Sequence, residues 1–210
     1  MTSKFRSMIQ PLFVVFAIAL CIFQVYTTSG IAIVNSTLQR VAHLSLVLCL
    51  VFLSVPIHPD YRKKKTEPAL FVALDICLAA LALGIAAWYF ANSTAIFERF
   101  AYVDEVETIQ MWAGTALILL VLEATRRTSG WPLVIVALCF ICYALFGENM
   151  PGPLAHVKIS PQALIEQLFL LTEGIYGVAM AAAATMIFAF VLFGSFLEVS
   201  GMSNLFIDLS

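Results

Sequence analysis

Val121–Val136 reads VLEATRRTSGWPLVIV, with apolar chain on both sides. One carboxylate and two adjacent arginines interrupt that grease, followed by a glycine, a tryptophan and a proline. In water such a stretch is an ordinary exposed loop. In a bilayer it is a turn that returns the chain to the membrane, so the solvent decides the fold. The composition settles which solvent applies: 62% of the 210 residues are hydrophobic and 11% are charged. A water-soluble domain of this size lacks enough polar surface at those proportions. Apolar runs near the ~20 helical residues that cross a bilayer core recur along the chain. The fold class is therefore all-α integral membrane, with about six transmembrane helices and one interfacial amphipathic helix.

The runs place spans at about Pro11–Tyr26, Leu38–Val55, Ala69–Ala91, Ile109–Leu122, Trp131–Gly147 and Ile175–Leu197. The fourth is short unless its polar flanks belong to the helix. Pro11 fits a first turn, where a missing N–H costs nothing. Lys and Arg are distributed unevenly between the two sets of loops. With the N-terminus inside, Lys4, Arg6, Arg62, Lys63, Lys64, Lys65, Arg126 and Arg127 face the cytoplasm, and only Arg40, Arg99 and Lys158 face outward. That bias sets the orientation of a multi-pass membrane protein, with the N-terminus cytoplasmic. An uncleaved first helix is expected, because no small-x-small site precedes the polar stretch after it.

The opening stretch becomes a tight cytoplasmic turn. Glu123 lies three and four residues before Arg126 and Arg127 and is placed to pair with either. Both cations sit at a helix C-terminus, where they are favoured. Gly130 ends the helix, Trp131 suits the interface and Pro132 opens the next helix. Two readings stay open: a topological anchor touching lipid phosphates, or an element that docks against another part of the same protein. Asp75 lies six residues inside the third span, about 9 Å deep at about 1.5 Å per residue. It is expected to pair or dock inside the bundle, with a cation such as Arg126 in reach. Arg40 and His43 share a face near the outer end of the second span and read as interface anchors.

Ser160–Gly174, SPQALIEQLFLLTEG, opens with a Ser-Pro helix start and is too short and polar to span. Leu164, Ile165, Leu168 and Leu171 fall on one face; Gln162, Glu166 and Glu173 mark the other. The pattern predicts a helix lying in the interface. The five cysteines all lie in apolar runs, so packing is expected of them, including the pair Cys139 and Cys142. No Walker loop, H-E-x-x-H or G-x-S-x-G occurs, so no catalytic residue, metal ligand or enzyme activity is expected. Only His43 lies at membrane depth, which argues against a haem anchor needing two axial ligands.

Three stretches together resemble a known family: MWAGTALILLVLEATRRTSGWPLVIVALCFICYALFG, LTEGIYGVAM and FGSFLEVSGMSNLFIDLS. They resemble the fused permease of tripartite ATP-independent periplasmic (TRAP) transporters, in the variant joining a four-helix small subunit to a twelve-helix large subunit and working with a TAXI-type binding protein. Glu123, Arg126, Arg127, Gly130 and Trp131 match the turn joining the two parts. Glu173, Gly174 and Gly177 match the entry to the next span, and Phe196, Leu197, Ser200, Gly201, Phe206 and Asp208 its exit. The resemblance implies a small-subunit-like domain over 1–129 and the start of the large-subunit, DctM-like domain over 130–210. It implies sodium-coupled uptake of organic acids, with the sodium and substrate sites in hairpins beyond Ser210 and none of them in this segment. No cofactor is implied. The implied partners are a periplasmic substrate-binding protein of the TAXI type, the remaining large-subunit transport domain and the lipid bilayer, with no nucleic acid. Asp104, Glu105 and Glu107, on the outer side, are the candidate contacts for the binding protein. The alternative is a stand-alone multi-span assembly or structural membrane protein without transport activity.

Overall fold

The structure is a computed structural model that describes residues 3–30, 34–57 and 68–202. His58, the basic run 62–65 and the stretch 203–210, with Phe206 and Asp208, lie outside the described residues, as do the side chains of Lys4 and Arg6. The regular structure of the described residues is all helical, without strands. The helices are α1 Ser3–Thr28, α2 Ser36–Ser54, α3 Ala69–Ala91, α4 Ser93–Glu98, α5 Thr108–Ser129 and α6 Trp131–Phe146. After a loop come α7 Pro161–Ile165, α8 Val178–Ala182 and α9 Phe188–Val199. Two wide turns extend this last set: Glu166–Leu170 continues α7, and Ala183–Ile187 joins α8 to α9. Among the described residues six helical segments are long and apolar enough to cross a membrane, including Gln10–Thr28, Trp131–Asn149 and Val178–Val199. The protein is an all-α, multi-pass membrane protein.

Local chemistry fixes the helix ends. Asn35 caps α2 by accepting the Thr37 N–H at 2.9 Å. Glu107 and Gln110 form a reciprocal capping box at the start of α5, with the Glu107 N–H donating to Gln110 Oε1 at 3.2 Å. Gly130 ends α5 at φ 87°, a left-handed conformation that any side chain would disfavour, and Pro132 then opens α6. The polar flanks do belong to the fourth span, which runs the full 22 residues of α5. The first span departs from expectation. Helix α1 begins at Ser3, so Pro11 lies inside it and not in its first turn. There it removes one backbone hydrogen bond that a first-turn proline would not.

Helix α2 is the central element, packed between α1 and α3. It buries Val41, Leu44, Leu48, Cys49 and Phe52. Ala79, Ala82 and Ala86 give α3 a small-residue face, and the backbones approach closely enough for Cys49 Sγ to donate to the Ala79 carbonyl at 3.4 Å. Dispersion in close packing drives association in lipid, where surrounding tails already match apolar side chains. Helix α5 closes the core with Leu117, Leu120 and Ala124. The fully exposed stripes lie on α1, α6 and α9; Phe140 on α6 keeps 68% of its surface. Cys139 and Cys142 are on that outward surface, as is Cys77 on α3, so packing within this chain accounts for Cys49 and not for those three.

The segment after α6 folds back on itself. His156 presents Nδ1 to the Val157 carbonyl at 2.7 Å and Nε2 to the Tyr143 carbonyl at 3.0 Å. Its ring meets the Tyr143 ring edge-on at 4.9 Å, and the Tyr143 hydroxyl donates to the Leu154 carbonyl at 2.7 Å. Ser160 then caps α7 by accepting the Ala163 N–H at 3.1 Å.

Candidate functional site

Two polar networks lie at opposite ends of the bundle. The first is built on the last turn of α5. Arg126 donates from Nε to Glu123 Oε2 at 2.7 Å and from Nη2 to Glu123 Oε1 at 2.8 Å. Arg127 donates from Nε to the same Oε1 at 2.7 Å. One carboxylate thus holds both arginines, the pairing its i,i+3 and i,i+4 spacing predicts.

Asp75 is buried, as expected, but its cation is Arg127 and not Arg126: Arg127 Nη1 donates to Asp75 Oδ1 at 2.6 Å. The helical step between the two arginines explains the choice. Residue 127 turns toward α2 and α3, where its side chain is 0% exposed and lies over the Phe52 ring at 5.0 Å. Residue 126 turns toward the α5–α6 turn and the Trp131 ring, 5.7 Å away. The same guanidinium groups gather the end of α2, for Arg127 Nη1 donates to the Val55 carbonyl at 3.1 Å and Arg126 Nη2 to the Ile57 carbonyl at 3.0 Å. Arg127 Nη2 is buried without a partner. An unsatisfied buried donor costs about 1–3 kcal/mol and more when charged.

The second network, at the other end, joins α4, the loop after it and α7. Spacing places Glu166 on the polar face of its helix, yet it is buried, 3% exposed. The buried residues are Ile165, Glu166, Phe169 and Leu170. The wide turn at Glu166–Leu170, closed by the Leu171 N–H on the Glu166 carbonyl at 3.0 Å, shifts the helical phase by one residue and explains the change of face. Glu166 Oε1 lies 3.5 Å from Arg99 Nη2 and accepts the Tyr102 N–H at 3.0 Å. That bond holds Tyr102 at φ 61°, the left-handed region unusual for a bulky residue. The Tyr102 hydroxyl also donates to Gln167 Oε1. A cleft of about 490 Å³ opens here, lined by Asp104, Glu105 and Glu166 among others.

The segment carrying these groups is packed into the bundle. Ile165 and Phe169 lie over Gly114 of α5, where an added Cβ would stand 2.6 Å from Ile165 Cγ2. Trp88, Tyr89, Phe169 and Tyr176 form an aromatic cluster with centroids 5.6–6.3 Å apart. Glu173 and Gly174 sit in the return: Gln167 Nε2 donates to Glu173 Oε2 at 3.4 Å, and Ile175 N–H to the Leu168 carbonyl at 3.0 Å. Gly174 passes so close to Gln167 and Leu168 backbone that no Cβ fits. Arg40 and His43 are not interface anchors. Arg40 Nη1 donates to the Tyr176 carbonyl at 2.8 Å, tying α2 to this return. His43 is buried edge-on to Phe188 at 6.1 Å.

The three outer acids separate on inspection. Glu107 is the helix cap already described. Asp104 Oδ2 accepts the Phe100 N–H at 2.8 Å, and the Asp104 carbonyl accepts from Arg99 Nη2 at 2.8 Å. Glu105 is exposed. Arg99, Tyr102 and Glu166 are the members of this network that sequence reading did not single out. The 67-residue gap between Arg99 and Glu166 hides their pairing, and only the α7 turn brings it about. Among the described residues no group of three or more His, Cys, Asp or Glu is placed to hold a metal ion.

The helix that carries the arginine network also carries the start of a family match. Residues 116–210 match the family model of the tripartite ATP-independent periplasmic transporter, DctM component. From residue 116 onward, the chain is similar to the DctM family. No curated protein and no solved structure matches the chain. The DctM segment thus takes in most of α5 and everything after it, including both arginines, Glu166 and the return at Glu173 and Gly174. It shares one core with the residues before it: Leu117, Leu120, Ile165, Phe169 and Tyr176 pack with Val41, Leu44, Ala82 and Tyr89. The chain is thus a multi-pass membrane protein whose second part is similar to the DctM component of TRAP transporters.

Proposed function

We propose that this chain is the membrane scaffold portion of a sodium-coupled TRAP permease that takes up organic acids. A periplasmic binding protein, of the TAXI type, delivers the substrate. The observation that carries this reading is the common core just described, in which the DctM segment and the preceding helices pack as one body. A body so cross-linked by Arg127–Asp75 and Arg40–Tyr176 suits a fixed frame better than a moving part. The boundary between a small-subunit-like domain, 1–129, and the DctM-like domain, 130–210, is assigned to the turn at Gly130. The arginine turn is a docking element that ties α5 to α2 and α3 just before that boundary and meets α6 only through Trp131, and sodium and substrate are assigned to parts of the permease other than these residues. The Lys and Arg bias supports a cytoplasmic N-terminus in the inner membrane.

The binding protein is assigned to the end that carries Glu105 and the Glu166 cleft. Glu105 is the acid to test there, because Glu107 caps α5 and Asp104 holds its own loop. Proteoliposomes test both points. This chain alone gives no sodium-driven uptake of labelled organic acid. Co-assembled with the large-subunit transport domain and supplied with the binding protein, it gives uptake that Glu105→Lys weakens. Robust transport by the chain alone would contradict the scaffold reading, and unchanged uptake by the Glu105→Lys permease would remove the docking assignment while leaving the scaffold intact.

A further inference from the structure

A second cleft, at the arginine end, is lined by Val55, Ile57, Arg126, Arg127, Ser129 and Trp131 among others and encloses about 380 Å³. Three observations converge on it. The first is that Arg127, with a side chain 0% exposed, keeps Nη2 without an acceptor while its other two nitrogens are engaged. Burial of an unsatisfied guanidinium nitrogen is unfavourable unless something supplies an acceptor. Arg126 is the second: it spends Nε and Nη2 on Glu123 and Ile57, and Nη1 bonds no acceptor among the described residues. The third is that the 16-residue helix α6 starts at this cleft, with Gly130 as its N-cap and no side chain capping it. Helix N-termini favour anions through their free N–H groups and dipole.

The cluster's own charges balance, since Asp75 and Glu123 offset the two arginines. Recognition therefore rests on unspent donors and not on net charge. Arg126 Nη1 is oriented by the bonds of its two neighbouring nitrogens, so an incoming group meets it already positioned, while Arg127 Nη2 lies below the surface. An acceptor with several oxygens satisfies separated donors at once, and phosphate is the group that guanidinium forks fit. The cleft lies at the turn between two spanning helices, beside the half-exposed ring of Trp131, and so at the level of lipid headgroups.

We propose that this cleft is a phosphate-binding site, held by Arg127, Arg126 and the first turn of α6. A phospholipid headgroup and free phosphate share that chemistry, and the test separates them. The whole chain, purified in non-ionic detergent without phosphate, is titrated with dioleoyl-phosphatidylglycerol and with dioleoylglycerol, read by native mass spectrometry. Inorganic phosphate is titrated separately by calorimetry. The expected result is one tightly retained phosphatidylglycerol, no retained dioleoylglycerol, and about a tenfold or greater loss of affinity in Arg126→Gln, the loss of one charge-assisted contact. Arg127→Gln removes a buried partner of Asp75 and can unfold the chain, so Arg126→Gln is the deciding variant. Arg126→Gln leaves Glu123 bonded to Arg127, and unchanged circular dichroism checks that it folds. Stoichiometric inorganic phosphate binding without phosphatidylglycerol binding, lost in Arg126→Gln, upholds the site with free phosphate as its ligand. Equal retention of the two lipids, no binding of either phosphate, or an Arg126→Gln chain that binds as tightly as the parent overturns the proposal.

Discussion

Arg127 shows how a charge is kept inside a membrane protein. Its guanidinium has no exposed surface, and the carboxylates of Asp75 and Glu123 hold it from two sides. Removing one partner from a buried pair leaves an uncompensated charge, which costs about 3–5 kcal/mol, whereas replacing both with apolar groups is often neutral. Asp75→Ala should therefore lower the thermal midpoint of the detergent-solubilised chain sharply, and the double variant Asp75→Ala with Arg127→Met should recover most of the loss. A double variant as unstable as the single one would show that packing at Asp75, and not its charge, dominates. Half of this network was legible beforehand. The Glu123 pairs follow from spacing along one helix. The choice of Arg127 for Asp75 does not, because one residue of helical rotation decides it and the phase comes from how α5 packs on α2 and α3.

Elements differ in how far their periodicity carries. The long spans could be read from apolar runs because lipid imposes length and composition directly, and Ala69–Ala91 matches its expected bounds. The short segment after Ser160 could not be read as well. Its wide turn displaces one residue, so Glu166 faces inward, toward Arg99, and the leucine stripe no longer marks the buried face. The loop before it offers a test at the same scale. Hydrogen bonds to the Val157 and Tyr143 carbonyls, aided by the Glu148 charge, hold the His156 pKa above its ordinary 6.5. Both ring nitrogens face carbonyl oxygens, an arrangement that asks both to be donors. The protonated ring is therefore the one this loop favours. Its contribution is complete below the unfolded value near 6.5 and fades as pH rises through the raised folded value. Hydrogen exchange of the loop 150–158 should speed up, beyond the intrinsic base-catalysed rise, as pH is raised above about 6.5. His156→Gln should flatten that excess; a parent protein with no excess would mean the ring does not hold the loop.

At the scale of the whole molecule, the two networks work as a pair of clamps on the same bundle. One gathers the ends of α2, α3 and α5 through the arginines; the other gathers α2, α3, the loop after α4 and the return after α7 through Arg40, Tyr89 and Glu166. Neither could be seen as a clamp from sequence, since each joins residues 50 to 140 positions apart by contacts that only the packed helices create. The six-span layout could be seen, because it depends on length and hydropathy alone. The clamps also fix what the layout predicts about sidedness. Helix α5 has 22 residues, about 33 Å at about 1.5 Å per residue, enough to separate its ends by a full hydrocarbon core. Single cysteines placed at Ser129 and at Glu105, in a background lacking the native ones, should therefore react with an impermeant maleimide from opposite faces of intact membrane vesicles. The basic bias further predicts that a cysteine at Lys63 labels with Ser129, from the cytoplasmic face. Labelling of Lys63 and Ser129 from different faces would break the paired-end arrangement of α2, α3 and α5, and with it the frame on which the permease reading stands.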